Sequence, residues 1–266
     1  MKAIKKLILA FLSVMLMASA GNNLIVKANE DIDINIRKSA HFSIEVKGKA
    51  TAQISVCSKI AKNYVAQFSK MLGSLEKVVI HNDENLRRGL SNKSIIYLRC
   101  LPDHDEFLNV LIHEIGHVVD LGYLKGSKKG SKSSFDDFGT VVTTDDESYL
   151  FYSISWKNNT DLNRRITPSA FVSSYSSSDP FEDFAETFML YVRYNSIFNE
   201  LAKENHVLKL KYDFMASIID DLKLNDVILV QNSEQVIDDL DLITGFLRQN
   251  SIYDATQIHK KLLVYL

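Results

Sequence analysis

Cysteine, tryptophan, proline and glycine are all scarce here, with 2 Cys, 1 Trp, 3 Pro and 10 Gly among 266 residues. Cys57 and Cys100 show no CxxC spacing, so neither is a candidate metal ligand. With 46% hydrophobic and 24% charged residues, no block is biased enough to read as disordered. The chain is long enough for one large domain or two small ones. No apolar run reaches the about 20 residues that a bilayer-spanning helix needs. Charge of one sign is also lacking, because the formal net charge is −2.

The first residues read as a leader rather than as part of the fold. Lys2, Lys5 and Lys6 form a basic start, Leu7 to Met17 is a short apolar core, and Ala18-Ser19-Ala20 is a small-x-small cleavage site. Val26-Lys27-Ala28 is a second possible cut, so residues 1–28 are expected to be a signal peptide cleaved after Ala20 or Ala28. Cleavage after Ala28 removes four lysines and no acids, leaving 27 basic against 33 acidic residues, a formal −6. Nothing then favours a nucleic acid or an anionic membrane as partner. The mature chain is expected to be secreted, without a membrane span. Export permits a Cys57–Cys100 disulfide. Cys57 nevertheless falls in an apolar helical pattern and Cys100 ends a strand-like run, where free buried cysteines are common. The sequence favours free thiols without settling the matter.

Against this ordinary background stands His113-Glu114-Ile115-Gly116-His117, within the run from Phe107 to Asp120. Residues four apart on a helix return to nearly the same face one turn on, about 6 Å along the axis. Two imidazoles so placed can bind one tetrahedral ion at about 2.0–2.1 Å. Glu114 lies about 100° to the side, from where its carboxylate reaches a water at the metal rather than the metal itself. Chance alone would give such a match in about one shuffled sequence in a hundred. Leu108, Leu111, Ile112, Ile115 and Val119 add the apolar stripe of a core-packed helix. This is a catalytic zinc helix by pattern.

Ahead of it, His41 to Lys47, Lys77 to His81 and Ser94 to Arg99 read as strands. Thr51 could cap a helix running to about Leu75, and Asn82 to Gly89 reads as a polar connection. Asp103 or Asp105 is the expected N-cap of the motif helix and Gly122 its stop. A sheet edge beside such a helix can pair with extended peptide. His104 has no partner at ligand spacing and reads as a surface residue. Behind the motif helix, Lys125 to Ser134 is the one flexible, locally basic stretch, followed by the acids Asp136, Asp137, Asp145, Asp146 and Glu147. A solvated loop is favoured there over a substrate-gating lid. Tyr149 to Trp156 packs as a strand or a helix turn.

Asp179 and Pro180 mark a helix start. Phe181, Phe184, Ala185, Phe188 and Met189 then recur at helical spacing, with Glu182 and Glu186 one turn apart. A zinc held by two histidines needs a third protein ligand and leaves a fourth position for water. One of these glutamates can bind the metal, and the other can accept a ring N–H of a ligand histidine and fix its tautomer. Spacing alone leaves open which does which. Val207 to Ile219 reads as a further helix. Residues 223–266 read as a mostly helical extension, with a short run from Val227 to Val230 and helices near 233–247 and 255–266.

His113-Glu-Ile-Gly-His-Val-Val-Asp120, taken with Tyr175-x6-Glu182-Asp-Phe-Ala-Glu186, resembles the anthrax lethal-factor-like metallopeptidases, a family that includes secreted bacterial Pro-Pro endopeptidases. Tyr212-Asp-Phe-Met215 also looks like that family's closing helix. The likeness spans about residues 75–220, with a longer connection here, 64 residues between His117 and Glu182. It implies an α+β, zincin-like (gluzincin) domain over residues 29–222, mostly helical with a small mixed sheet beside the motif helix. It further implies His113, His117 and Glu182 as ligands of one zinc, Glu114 as general base, Glu186 as the supporting carboxylate and Tyr175 as the hydroxyl that stabilises the oxyanion. The expected function is a secreted zinc endopeptidase acting on protein or peptide substrates. The alternatives are a toxin-type protease with a host or partner protein as target, and a non-catalytic secreted module whose zinc is structural.

Overall fold

The computed structural model of the chain describes residues 42–49, 51–127 and 129–219. The expected signal peptide (1–28) and C-terminal extension (223–266) lie outside the described residues. The fold is α+β. β1 (Ser43–Lys47) leads to α1 (Ala52–Gln67), β2 (Lys77–His81), β3 (Gly89–Ser91), β4 (Ile95–Arg99) and α2 (His104–Val118). A hairpin of β5 (Lys132–Asp137) and β6 (Thr140–Thr143) follows. Then come α3 (Glu147–Ser155), α4 (Pro180–Arg193), α5 (Asn195–Glu204) and α6 (His206–Ile219). No helix among the described residues is long and apolar enough to cross a membrane.

The first four strands form one mixed sheet in the order β1-β2-β4-β3. β1, β2 and β4 run parallel, and β3 pairs antiparallel to β4 through Gly89↔Leu98, Leu90↔Tyr97 and Ser91↔Ile96. β3 was not expected from the sequence. It is three residues long, too short for an alternating pattern to stand out from a polar connection. Its place at the end of the sheet leaves one of its edges unpaired among the described residues, beside α2.

Local chemistry sets the helix limits. Thr51 caps α1 by accepting from Ile54 N, as expected, but α1 ends at Gln67 rather than near Leu75. Beyond it, Met71, Leu72 and Leu75 still reach the core from turns, so apolar spacing outlasts the helix. Asp103 is the N-cap of α2, accepting from Asp105 N and Glu106 N. α2 gives way after Val118 to a single π-helical turn, Val119–Tyr123, which contains the expected stop Gly122. Asp179 caps α4 through Phe181 N and Glu182 N, with Pro180 in the first turn, where its missing N–H costs nothing. Tyr149 to Trp156 resolves into helix α3 with Trp156 as its C-cap.

Two readings of the sequence are corrected. Cys57 on α1 and Cys100 after β4 form a disulfide, not free thiols, with Cα atoms 5.8 Å apart. Their apolar surroundings were read correctly, but burial does not distinguish a thiol from half a bridge. The stretch from Lys125 is not a free loop either. Asp145 accepts from Ser127 Oγ, Lys129 N and Thr143 Oγ1, and Asp146 accepts from Gly126 N and Thr143 N. The acids that looked merely solvated tie the basic segment down, and residues 132–143 form the hairpin.

α4 is the spine of the site, buried along most of its length between α2, α3 and α6. A Cβ on Gly116 would lie 3.0 Å from Ala185 Cα, so the glycine of the motif lets α2 and α4 cross closely. α4 is also pinned by charge. Lys211 of α6, fully buried, donates to both oxygens of Asp183 at 2.7 Å and to Ala170 O at 2.9 Å. Trp156 Nε1 donates to Asp183 Oδ2 at 3.0 Å, and the Lys211 ammonium sits 4.3 Å from the Phe171 ring centre. Removing one partner of such a buried pair costs about 3–5 kcal/mol. The rotation of α4, and with it the aim of Glu182 and Glu186, is therefore strongly fixed.

Candidate metal centre

α2 presents His113 and His117 on one face, and α4 crosses it with Glu182 and Glu186. Glu182 Oε2 lies 3.1 Å from His113 Nε2 and 3.4 Å from His117 Nε2. The three ligand atoms fall within 4.8 Å of one another, so His113, His117 and Glu182 could hold a metal ion. An ion bound tetrahedrally at about 2.0–2.1 Å separates its ligand atoms by about 3.4 Å, which matches the two distances to Glu182.

The hydrogen bonding tests the fit independently. His113 Nδ1 lies 2.8 Å from Glu186 Oε1, and a carboxylate there can only accept, so Nδ1 carries the proton. In the neutral ring the lone pair then belongs to Nε2, which faces Glu182 Oε2. That oxygen is buried, and among the described residues no donor other than the two histidine rings reaches it. Two lone pairs set 3.1 Å apart repel unless a cation lies between them. Without a metal, a proton on His113 fills that role. Burial pulls the His113 pKa down, but its bonds to Glu182 and Glu186 and the charges of Glu186 and Glu114 outweigh this and raise it to about 10. Burial raises the Glu182 pKa, and the two histidines overcome that and hold it well below the usual carboxylate range. The donor set is built for a cation.

The other named residues gather around these three. Glu114, on the same helix and 5% exposed, accepts a short hydrogen bond at Oε2 from Ser91 Oγ of β3. A Cβ on Gly89 would run into Glu114 Oε1 and come within 2.7 Å of Val110 Cγ1. Glycine lets the edge strand lie against this carboxylate. Tyr175, on the short turn Tyr175–Ser177, is 47% exposed, lies tilted with its ring centre 6.0 Å from that of His113 and donates to Glu182 Oε1 at 2.9 Å. Burial, with the Glu182 charge behind it, pushes its phenol pKa further up, so the hydroxyl remains a donor. Asp120 is buried below His117 and accepts from Tyr152 Oη at 2.5 Å, and burial raises its pKa to about 7. His104 is exposed, in keeping with its reading as a surface residue.

Sequence reasoning missed three contributors. Ser173 Oγ donates to Glu186 Oε2 at 2.7 Å and accepts from Ser176 N at 3.0 Å, so Glu186 is itself held in place. In the run Ser173-Ser-Tyr-Ser-Ser-Ser178 no signal singles that serine out. Ser91 and Gly89 belong to the strand that was not expected, and only its pairing with β4 brings them to Glu114. Neither a protein-family model nor a curated protein matches the sequence.

Proposed function

We propose that this chain is a secreted zinc endopeptidase of the zincin-like (gluzincin) type, acting on protein or peptide substrates. One observation carries the reading. A buried oxygen of Glu182, reached among the described residues by no donor other than the two rings, is aimed at the Nε2 atoms of both histidines, and a further carboxylate, Glu114, stands on the histidines' helix outside that ligand set. Three ligands with a base beside them describe a catalytic site, whereas a structural zinc site is closed by four protein ligands. Among the described residues only this group has the spacing of a metal site. The mixed sheet beside α2 and the resemblance of both motifs to the lethal-factor-like metallopeptidases support the same reading.

When bound, zinc polarises the scissile carbonyl and lowers the pKa of a water toward about 7. The chain supplies the rest. Glu114 takes a proton from the attacking water and delivers it to the leaving amine, which must depart neutral. Ser91 aims that carboxylate from β3. The edge of β3, unpaired among the described residues, offers backbone groups with which an extended peptide can pair beside Glu114. Tyr175, whose side chain is half exposed, releases Glu182 and donates its O–H to the carbonyl oxygen as negative charge develops. Loss of one such donor in other enzymes costs about 10²–10³ in rate. Glu186, backed by Ser173, holds His113 in the tautomer that presents Nε2.

The test is a cleavage profile on a mixed peptide library, proline-rich peptides included, with Glu114→Ala as control. The reading requires cut peptides with the wild type and none with the control. A wild type that cuts nothing, or a control that cuts equally, overturns it.

A further inference from the structure

The β5–β6 hairpin ends in Phe138 and Gly139, at φ 45° and 90°, between the paired residues Asp137 and Thr140. Positive φ at both central positions defines a type I′ turn, whose first position favours Asn, Asp or Gly. A phenylalanine there is a steric outlier. It is also fully in solvent, at 104% exposure, the most exposed large apolar side chain among the described residues. Two unfavourable features coincide in one residue, and no contact among the described residues offsets either.

The hairpin is not a loose flap. Phe135, buried, packs 5.1 Å from the Tyr152 ring and 6.0 Å from Tyr149. On its other side, Asp136 N donates to Asn159 Oδ1 at 3.1 Å and Asn159 Nδ2 donates to Asp136 O at 2.6 Å. Gly139 N closes the turn onto Asp136 Oδ1 at 2.7 Å. The tip is thus held by the body of the protein, which removes the entropic cost of ordering it on binding.

Its base also places it beside the metal centre. Tyr152 donates to Asp120, three residues past His117, and meets the ring of Phe181, the neighbour of Glu182, edge to face at 5.2 Å. Asp137, the last residue of β5, is half-buried. The next residue outward is Phe138.

We propose that Phe138 is an apolar anchor for substrate, a fixed ring at the rim of the site that captures a large apolar side chain of the bound peptide near the scissile bond. This rests on the endopeptidase reading and extends it to a substrate class, namely peptides with Leu, Ile, Met or an aromatic residue at one set position relative to the cut. The strain of the turn is retained because an unstrained residue at the tip would lack the ring.

The experiment compares wild type, Phe138→Asn and Phe138→Tyr on a synthetic peptide library, by cleavage and by capture on immobilised Glu114→Gln protein with and without Phe138→Asn. Phe138→Asn should raise KM about tenfold for peptides with the large apolar residue, leave kcat and zinc content unchanged, and leave peptides with Ala or Ser there unaffected. It should also raise the melting temperature by about 2–4 °C, because Asn suits the turn. Phe138→Tyr should keep the preference. An apolar preference that survives Phe138→Asn in cleavage and capture overturns the anchor while leaving the peptidase reading intact. If no peptide is cut by the wild type, the peptidase reading fails, and capture that does not depend on Phe138 then overturns the anchor separately.

Discussion

Glu182 and Glu186 are one helical turn apart and chemically identical, yet the structure gives them different work. Glu182 Oε2 faces both histidine Nε2 atoms at 3.1 and 3.4 Å, whereas Glu186 Oε1 meets His113 Nδ1 at 2.8 Å on the far side of the ring. Alanine at either position should leave α4 intact, because alanine is the best helix former and the Asp179 cap is untouched. Zinc binding in four-ligand sites totals about 10–16 kcal/mol, roughly 2.5–4 kcal/mol per ligand. Glu182→Ala should therefore weaken zinc by at least about 10²–10³-fold and abolish turnover even when metal is forced in. Glu186→Ala removes only the bond that orients His113, a loss of about 10–100-fold or roughly 1.4–2.8 kcal/mol, and its site should reload with excess zinc and recover measurable activity. A competition titration against a chromogenic chelator, with peptide turnover followed in the same samples, separates the two. If Glu186→Ala is the variant that cannot be rescued, Glu186 is the ligand and the assignment of this helix is refuted.

Three further outcomes follow from other parts of the structure. The Cys57–Cys100 bridge closes a separation of 43 residues, for which chain entropy gives about 4 kcal/mol. The Cys57→Ala/Cys100→Ala protein should lose stability of that order in urea, and an unchanged midpoint would mean that no bridge forms. Gly89→Ala drives a methyl group into Glu114 and Val110, so turnover should fall about 10²-fold with zinc retained. Normal turnover would show that β3 does not hold the carboxylate. In metal-free protein the His113 pKa is raised to about 10, so the ring is protonated at neutral pH and metal must displace that proton. Zinc affinity should then rise about tenfold per pH unit from about pH 7 and level off near 10, and a flat profile would contradict it. The same proton stabilises the metal-free fold fully below the ordinary histidine pKa near 6.5, and its contribution is lost as pH rises through about 10.

Much of the architecture could be read from the residues because it rests on local chemistry. The helix starts at Thr51, Asp103 and Asp179 follow from side chains that accept backbone N–H groups within the next turn. The pairing of His113 with His117 follows from helix geometry alone. What depends on contacts distant in sequence could not be read. β3 exists only through β4, so Gly89 and Ser91 carried no local mark. Spacing could not separate Glu182 from Glu186, because only the crossing of α2 and α4 at Gly116 and Ala185 decides which carboxylate meets which ring nitrogen. The hairpin was hidden for a related reason. Its turn, Phe138-Gly139, violates the residue preference by which such turns are recognised, and the acids that anchor the preceding segment look like a solvated run.

The most direct test of the proposed chemistry is Glu114→Gln, with zinc content and peptide turnover measured on one preparation. Glu114 lies outside the group His113, His117 and Glu182, and its Oε2 is engaged by Ser91. Glutamine keeps its size and can still accept that bond, but it cannot take a proton from water. The account predicts about one zinc per chain in variant and wild type alike, with turnover at least about 10²-fold lower in the variant. Turnover near that of the wild type, at equal zinc, would contradict it.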